Sequence, residues 1–183
     1  MFREALIKLI KTTFFCVGAF VIIYIMSSVI QFKFQQYKEN SQTPEQVSAK
    51  ETFRQLDCLA KNVYYEASSE PFEGKVAVAQ VTINRSKHKE FPSDICRVVH
   101  EKNVFFKKVI CQFSWFCDQT YKTKPVNHKA YEDSYEVAKK VMIEGFRLDS
   151  MKEAIYYHAD YVNPHWNKPR VGKIGRHIFY KDT

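Results

Sequence analysis

No charged residue occurs from Thr12 to Ile30, and the centre of that run, Phe14 to Met26, is strongly apolar. Its length matches the roughly 20 residues that cross a bilayer as a helix. The pattern then breaks. Gln31 to Lys50 is polar, carries no apolar period and reads as a linker, part of it helical at most. From Glu51 the pattern is that of a folded domain. Leu56, Leu59, Ala60, Val63 and Ala67 recur at helical spacing and form one apolar stripe. Glu70-Pro71-Phe72-Glu73-Gly74 makes a turn, with Pro71 holding the residue before it in extended geometry. Val76, Ala77, Val78, Ala79, Val81 and Ile83 then point to nearly every side of a helical wheel, as in a helix buried all round. A strand over the same residues is the weaker alternative, because alanine is poor in strands.

Further along, Ser93 or Asp94 caps a short helix running through Val99. Glu101 to Ile110 takes no assignment. Cys111 to Asp118 is a compact aromatic segment between two cysteines. Pro125 and Asn127 open a helix from about His128 to Glu144, with Tyr131, Tyr135, Ala138 and Met142 on one face and Gly145 at its end. Ala154 to His158 and His177 to Tyr180 pair as short strands around a loop rich in Pro and Asn. The expected class is α+β with more helix than strand. The expected segments are 1–11, a membrane helix over 12–30, a linker over 31–50 and one domain over 51–183.

A hydrophobic share of 45% against 26% charged excludes a disordered chain. The net charge of +8 favours an anionic partner, such as nucleic acid, anionic lipid or an acidic wall polymer. No nucleic-acid motif accompanies the charge, so no nucleic acid is expected. Arg3, Lys8 and Lys11 precede the apolar run, which predicts a cytoplasmic N-terminus and an exported domain. The run exceeds the ~7–15 residues of a signal core and lacks a small-x-small site after it. An uncleaved anchor is therefore expected over a cleaved signal peptide. Cys16 falls in the run, leaving Cys58, Cys96, Cys111 and Cys117 in the domain. In an exported domain they predict two disulfides with three possible connectivities, of which Cys111–Cys117 with Cys58–Cys96 is the one expected. Buried thiols and zinc are the alternatives. The Cys111–Cys117 spacing is not that of a zinc knuckle and no His-Glu-x-x-His is present, so neither a metal nor another cofactor is expected. His158, His165 and His177 read as hydrogen-bonded structural histidines.

One acidic residue stands out by position. At about 100° per residue, Glu66 falls on the border of the first apolar stripe rather than opposite it. Partial withdrawal from water raises a carboxyl pKa, which a general acid working near neutral pH requires. A boundary glutamate held by a nearby Lys or Arg has the same pattern.

Several segments together resemble the SleB/CwlJ-type cell wall hydrolases, the spore-cortex-lytic enzyme family. They are Cys58-Leu59-Ala60 through Tyr64-Tyr65-Glu66-Ala67, Glu70-Pro71 to Gly74, Val76 to Val81, Asn84-Arg85, Phe91-Pro92 and Cys96 to Val99. Cys111 to Trp115, Cys117-Asp118, Tyr157 to Val162, Pro164, Trp166, Ile174-Gly175 and His177 to Tyr180 complete them. The resemblance covers most of Leu56 to Tyr180 and none of the first fifty residues. It implies a lysozyme-like or resuscitation-factor-like α+β domain that cleaves peptidoglycan glycan strands. The family's catalytic glutamate, in its Tyr-x-Glu-Ala segment, matches Glu66. Ser68-Ser69 and Gln119 depart from the usual Arg-Gly and Gly, and Glu101 to Ile110 is longer than usual.

The reaction this implies is cleavage of the N-acetylmuramic acid–N-acetylglucosamine bond by a lytic transglycosylase, with Glu66 as both acid and base. A muramidase-type hydrolase would need a second carboxylate. Glu73 is the first candidate, ahead of Asp118 and Glu70, although a glutamate at a helix start is more simply a partner of the helix dipole. A catalytically inactive wall-binding membrane protein is the other alternative. Gln112, Ser114, Trp115, Tyr157 and His158 are expected to line the glycan cleft. In a regular strand Tyr157 and His158 point to opposite faces, and the expectation is His158 in the cleft with Tyr157 in the core. Trp115 is either a sugar-stacking face or a core side chain.

Overall fold

The computed structural model describes residues 2–40 and 44–183. The chain forms two compact units, Met1–Ala49 and Lys50–Thr183. The first is built on helix α1 (Phe2–Asn40), whose stretch Thr13–Gln36 has a mean hydropathy of 2.3. Helix α2 (Pro44–Ala67) starts at the end of this unit and continues into the second. The linker expected over 31–50 is thus helical through Asn40 and again from Pro44; its residues 41–43 lie outside the described residues.

In the second unit α2 is followed by α3 (Phe72–Lys87), which lies buried through its middle. The turn between them is shorter than expected, because Phe72, Glu73 and Gly74 already belong to α3. Extended Pro71 precedes its first turn and Glu73 complements the helix dipole there. One side of α3, with Val76, Ala79 and Ile83, packs on Leu56, Leu59, Ala60 and Val63 of α2. The same cluster takes in Val137, Ala138 and Val141 of α7 (His128–Met142) and Val98 and Val99 of α4 (Ile95–Val99). The other side, with Ala77 and Val81, packs on Met151, Ala154 and Phe179. Asp94 caps α4 and Asn127 caps α7, each accepting from a backbone N–H in the first turn. The buried face of α7 is Ser134, Val137, Ala138 and Val141, rotated from the expected one so that Tyr131, Tyr135 and Met142 flank it.

Strands β3 (Tyr156–Ala159), β4 (Arg170–Ile174) and β5 (His177–Tyr180) form an antiparallel sheet in the order β3-β5-β4. Tyr156 pairs with Tyr180 and Ala159 with His177. β4 was not anticipated. Gly172 interrupts its apolar pattern, and its register against β5 shifts between Arg170 and Gly172. The β4–β5 turn packs on the start of α3: Glu70 Oε2 accepts from the Arg176 N–H at 2.9 Å. Gly175, at φ 56°, lies so close that a Cβ would sit 1.8 Å from that oxygen.

The unassigned 101–110 stretch is a hairpin, β1 (Lys102–Phe105) with β2 (Lys108–Cys111). Phe106 and Lys107 turn it, both at positive φ. Short helices α5 (Ser114–Cys117) and α6 (Gln119–Thr123) follow. Cys58 is bonded to Cys96, with Cα atoms 5.2 Å apart, and Cys111 to Cys117, at 5.9 Å.

Trp115 is a core residue, only 8% exposed and absent from the cleft lining described below. Its Nε1–H donates to Asn62 Oδ1 at 3.0 Å, and Asn62 donates in turn to Thr82 Oγ1 at 3.0 Å. This buried chain ties α5, α2 and α3 together. The sugar-stacking alternative for Trp115 is therefore set aside: the indole fills the space behind Tyr65, on which it stacks with ring centroids 4.5 Å apart. Trp115→Ala should cost about 3–5 kcal/mol of stability, through the cavity and the unpaired Asn62. Denaturant unfolding checks this, and a loss below about 1 kcal/mol would return Trp115 to the surface.

Candidate active site

The last turn of α2 carries Glu66 to the floor of a cleft of about 640 Å³. Tyr65, Tyr121, Gln112, Phe113 and Ser114 line one wall. Tyr156, Tyr157, His158, Ala159 and His177 line the other, with Tyr161, Val162, Pro164 and Trp166 at its edge. Among the described residues lining this cleft, Glu66 is the sole carboxylate.

Two contacts, burial and the helix dipole set the state of Glu66. The Tyr157 hydroxyl donates to Oε2 at 3.1 Å. Arg85, itself buried, supplies a positive charge from α3. Burial acts in the other direction and is the largest influence, pushing the carboxyl above the ordinary glutamate range; the Tyr157 hydrogen bond and Arg85 oppose it. The C-terminal end of the α2 dipole also disfavours a negative charge at this position. Burial and the neighbouring Glu66 hold the Tyr157 phenol well above its usual value, so it stays a neutral donor.

Arg85 is fixed from several sides. Its Nε–H donates to the Ile155 carbonyl at 2.7 Å, and the guanidinium lies 5.2–5.9 Å from the ring centres of Phe91, Phe113 and Tyr157. With its amide oxygen turned to the guanidinium, Gln112 accepts from Arg85 at 3.0 and 3.2 Å. Gln112 thus joins the expected cleft wall and anchors the cation behind Glu66.

The sequence expectation places His158 in the cleft and Tyr157 in the core; His158 does line the cleft, and Tyr157, though packed on the core, lines it as well. Their side chains do alternate. Tyr157 shares its face with Phe179 and His177 and is the one that reaches Glu66. His158 lies on the opposite face, stacked on Tyr180, with Nε2 3.0 Å from the Tyr180 hydroxyl. Both line the cleft because β3 is the edge strand of its sheet, so the cleft wraps around it. The tryptophan in the cleft is Trp166, packed against Tyr156, His158 and Tyr180. Ser114 lines the cleft as expected.

The second-carboxylate candidates lie elsewhere. Glu73 is exposed on the first turn of α3 and does not line the cleft. Glu70 is engaged with Arg176, and Asp118 caps α6 by accepting from the Thr120 N–H. Sequence reasoning passed over Tyr121, and it placed Tyr65, Arg85 and the edge residues within the resembling segments without giving them a role. By pattern, Arg85 is a charge at the end of the buried run of α3, a sign of a buried ion with partners.

Residues 69–180 match the cell wall hydrolase family. The chain belongs to this family. The matched stretch opens just after Glu66. Among relatives, the chain is 30% identical to a spore cortex-lytic enzyme of Bacillus subtilis (strain 168) over 129 residues, covering 66% of this chain and 35% of that protein. It is 30% identical to one of Bacillus cereus over 134 residues, covering 69% of this chain and 44% of that protein. The chain therefore spans less than half the length of these relatives. The fold is similar to the crystal structure of the catalytic domain of Bacillus cereus SleB, with TM-score 0.51, 27% identity, and 69% and 89% of the two chains covered. It is likewise similar to the catalytic domain of a germination-specific lytic transglycosylase, SleB, from Bacillus anthracis, with TM-score 0.51, 28% identity, and 69% and 93% covered.

The raised pKa of Glu66 has a consequence for stability. Its folded-state value lies above its unfolded one, so the fold carries no penalty below both and the full penalty above both. Glu66→Gln should therefore raise the melting temperature at neutral pH. The gain should fade as pH falls through the raised pKa towards the unfolded value. Melting curves of both proteins from about pH 4 to about pH 8 check this. A variant less stable than the parent at neutral pH would contradict it.

Proposed function

We propose that this chain cleaves the glycan strand of peptidoglycan at the N-acetylmuramic acid–N-acetylglucosamine bond as a lytic transglycosylase, with Glu66 as acid and then base. The observation that carries this reading is that Glu66 is the sole carboxylate among the described cleft residues, and its desolvation there favours the protonated form. Hydrolysis by two carboxylates has no second partner there. The description of the Bacillus anthracis relative as a lytic transglycosylase supports the same choice.

The steps follow from the geometry. Tyr157 holds Oε2, leaving Oε1 to carry the proton. Glu66 gives that proton to the glycosidic oxygen as the C1–O4 bond breaks. The charge left on the carboxylate is stabilised by the Tyr157 hydroxyl and the Arg85 cation. The carboxylate then removes the proton of the muramic C6 hydroxyl, whose oxygen closes on C1. The product is a 1,6-anhydro end, and no water is consumed. Tyr65, Tyr156 and Trp166 supply flat faces for sugar rings, and Gln112, Ser114 and His158 supply polar groups.

Under the same proposal α1 is an uncleaved membrane anchor, with the N-terminus cytoplasmic and the catalytic unit outside. The apolar stretch Thr13–Gln36 and the preceding Arg3, Lys8 and Lys11 support it, as do the two disulfides, which persist in oxidising compartments. A signal sequence would share the apolar stretch, and the N-terminus of the mature protein separates the two.

Full-length protein in detergent, incubated with purified peptidoglycan, should release muropeptides one water lighter than reducing ones, as mass spectrometry reads directly. Glu66→Gln should lower the rate by about 10²–10⁴-fold, the size of a general-acid contribution. Reducing ends would make the enzyme a hydrolase, and activity within about threefold of the parent would remove Glu66 from the mechanism.

A further inference from the structure

His177 has no part in the mechanism above, yet its imidazole is built into the cleft. The residue is 7% exposed and lines the cleft. Its Nδ1 is enclosed and makes no hydrogen bond among the described residues, which leaves Nε2 as the nitrogen open to the cleft. That arrangement selects a tautomer. Orphaned buried N–H groups are rarer in folded proteins than under-satisfied acceptors, and no described acceptor faces Nδ1. The proton therefore belongs on Nε2. Burial pushes the imidazole below its usual value, against the opposing charges of Glu70 and Asp160, so the ring is neutral at neutral pH. What faces the cleft is an uncharged donor.

An uncharged donor fits an uncharged oxygen that only accepts. A carboxylate would call for a cation, and a hydroxyl would be served equally by an acceptor. An amide carbonyl is the match. Beside the donor is a space of the right kind. Ala159 is the cross-strand partner of His177, so the two side chains share a face of the sheet, and both line the cleft. Val162 lines it too. A donor flanked by a small apolar side chain suits an acetamido group, whose carbonyl and methyl lie side by side. Tyr157 links this point to the reaction, with its ring 5.0 Å from that of His177 and its hydroxyl on Glu66.

We propose that the Ala159–His177 pair is an acetamido-recognition site, Nε2–H donating to the carbonyl oxygen of an N-acetylated amino sugar and Ala159 receiving its methyl group. The inference rests on the reading of function above and assigns the residues that sense N-acetylation.

The test uses full-length protein in detergent carrying Glu66→Gln, so that no ligand is consumed. It is titrated by calorimetry with chitotetraose and with its de-N-acetylated counterpart. The acetylated probe should bind about tenfold more tightly, the size of one neutral hydrogen bond with its methyl contact. His177→Phe keeps an aromatic ring against Tyr157 and Phe179 but removes the donor, and should abolish the preference. Ala159→Leu fills the methyl space and should do the same; it carries the test alone if His177→Phe fails to fold. Retention of the preference by either folded variant, or no preference in the parent, overturns the inference. Wall cleavage by the Glu66 protein without acetyl preference overturns this site and leaves the proposed function standing. Acetyl preference without cleavage does the reverse.

Discussion

The second unit is organised around the burial of α3. Through its middle this helix meets protein on nearly every side, so each polar side chain buried there must find a partner in the protein. Gln80 takes both the N–H and the carbonyl of Leu148. Thr82 accepts from Asn62, which accepts from Trp115. Asn84 donates to carbonyls of Met151 and Ala154, and Arg85 to that of Ile155. These bonds run down one helix and fix, in turn, the segment leading into β3, the α2 helix and the α5 turn. The walls of the cleft are those same pieces. The requirement that a buried polar group be satisfied is thus what positions the site.

In the proposed reaction, Glu66 sits where two demands on one carboxyl meet. As an acid it must hold a proton near neutral pH, which burial and the end of α2 favour. As a base it must afterwards tolerate a charge in the same surroundings. Tyr157 and Arg85 meet that second demand, and both favour the charged form. With neither, the carboxyl would hold its proton too tightly to release it to the glycosidic oxygen. Arg85 can serve only because it is itself held by Ile155, Gln112 and three aromatic rings. The cost of burying it is spread over groups that the core needs anyway.

The elements legible in the sequence were those with a strong period or a clear cap. The all-round apolar run gave α3, the stripe from Leu56 gave the buried face of α2, and Asp94 and Asn127 marked α4 and α7. The β1–β2 hairpin was not legible because its turn residues are Phe106 and Lys107 rather than Asn-Gly, and β2 buries no face to impose alternation. β4 was hidden by Gly172 and a register shift. At the site, helical phase put Glu66 at a buried border, but the same reasoning could not show what stood opposite. Trp115 and Trp166 are both tryptophans in aromatic surroundings. Only the tertiary packing sends one behind Tyr65 and the other into the cleft. For Tyr157 and His158 the alternation argument was sound, and its conclusion failed because an edge strand offers both faces to a cleft that bends around it.

The two disulfides divide this work between the whole fold and the site. Cys58–Cys96 closes 38 residues and Cys111–Cys117 closes 6. In the chain-entropy picture these correspond to about 4 and about 2 kcal/mol, so the first is the larger constraint on the unfolded chain. It joins α2 to α4 across the core, and its loop contains the whole of α3. The second adds less globally but encloses Gln112, Phe113 and Ser114, all cleft residues, together with Trp115. Those four side chains face opposite ways, Trp115 into the core and Gln112 towards Arg85. So short a segment, which must present both an anchor and a polar wall, gains little from regular structure, since α5 spans only Ser114–Cys117. A local covalent tie, with the Trp115–Asn62 bond behind it, holds the wall where the helix is too short to do so.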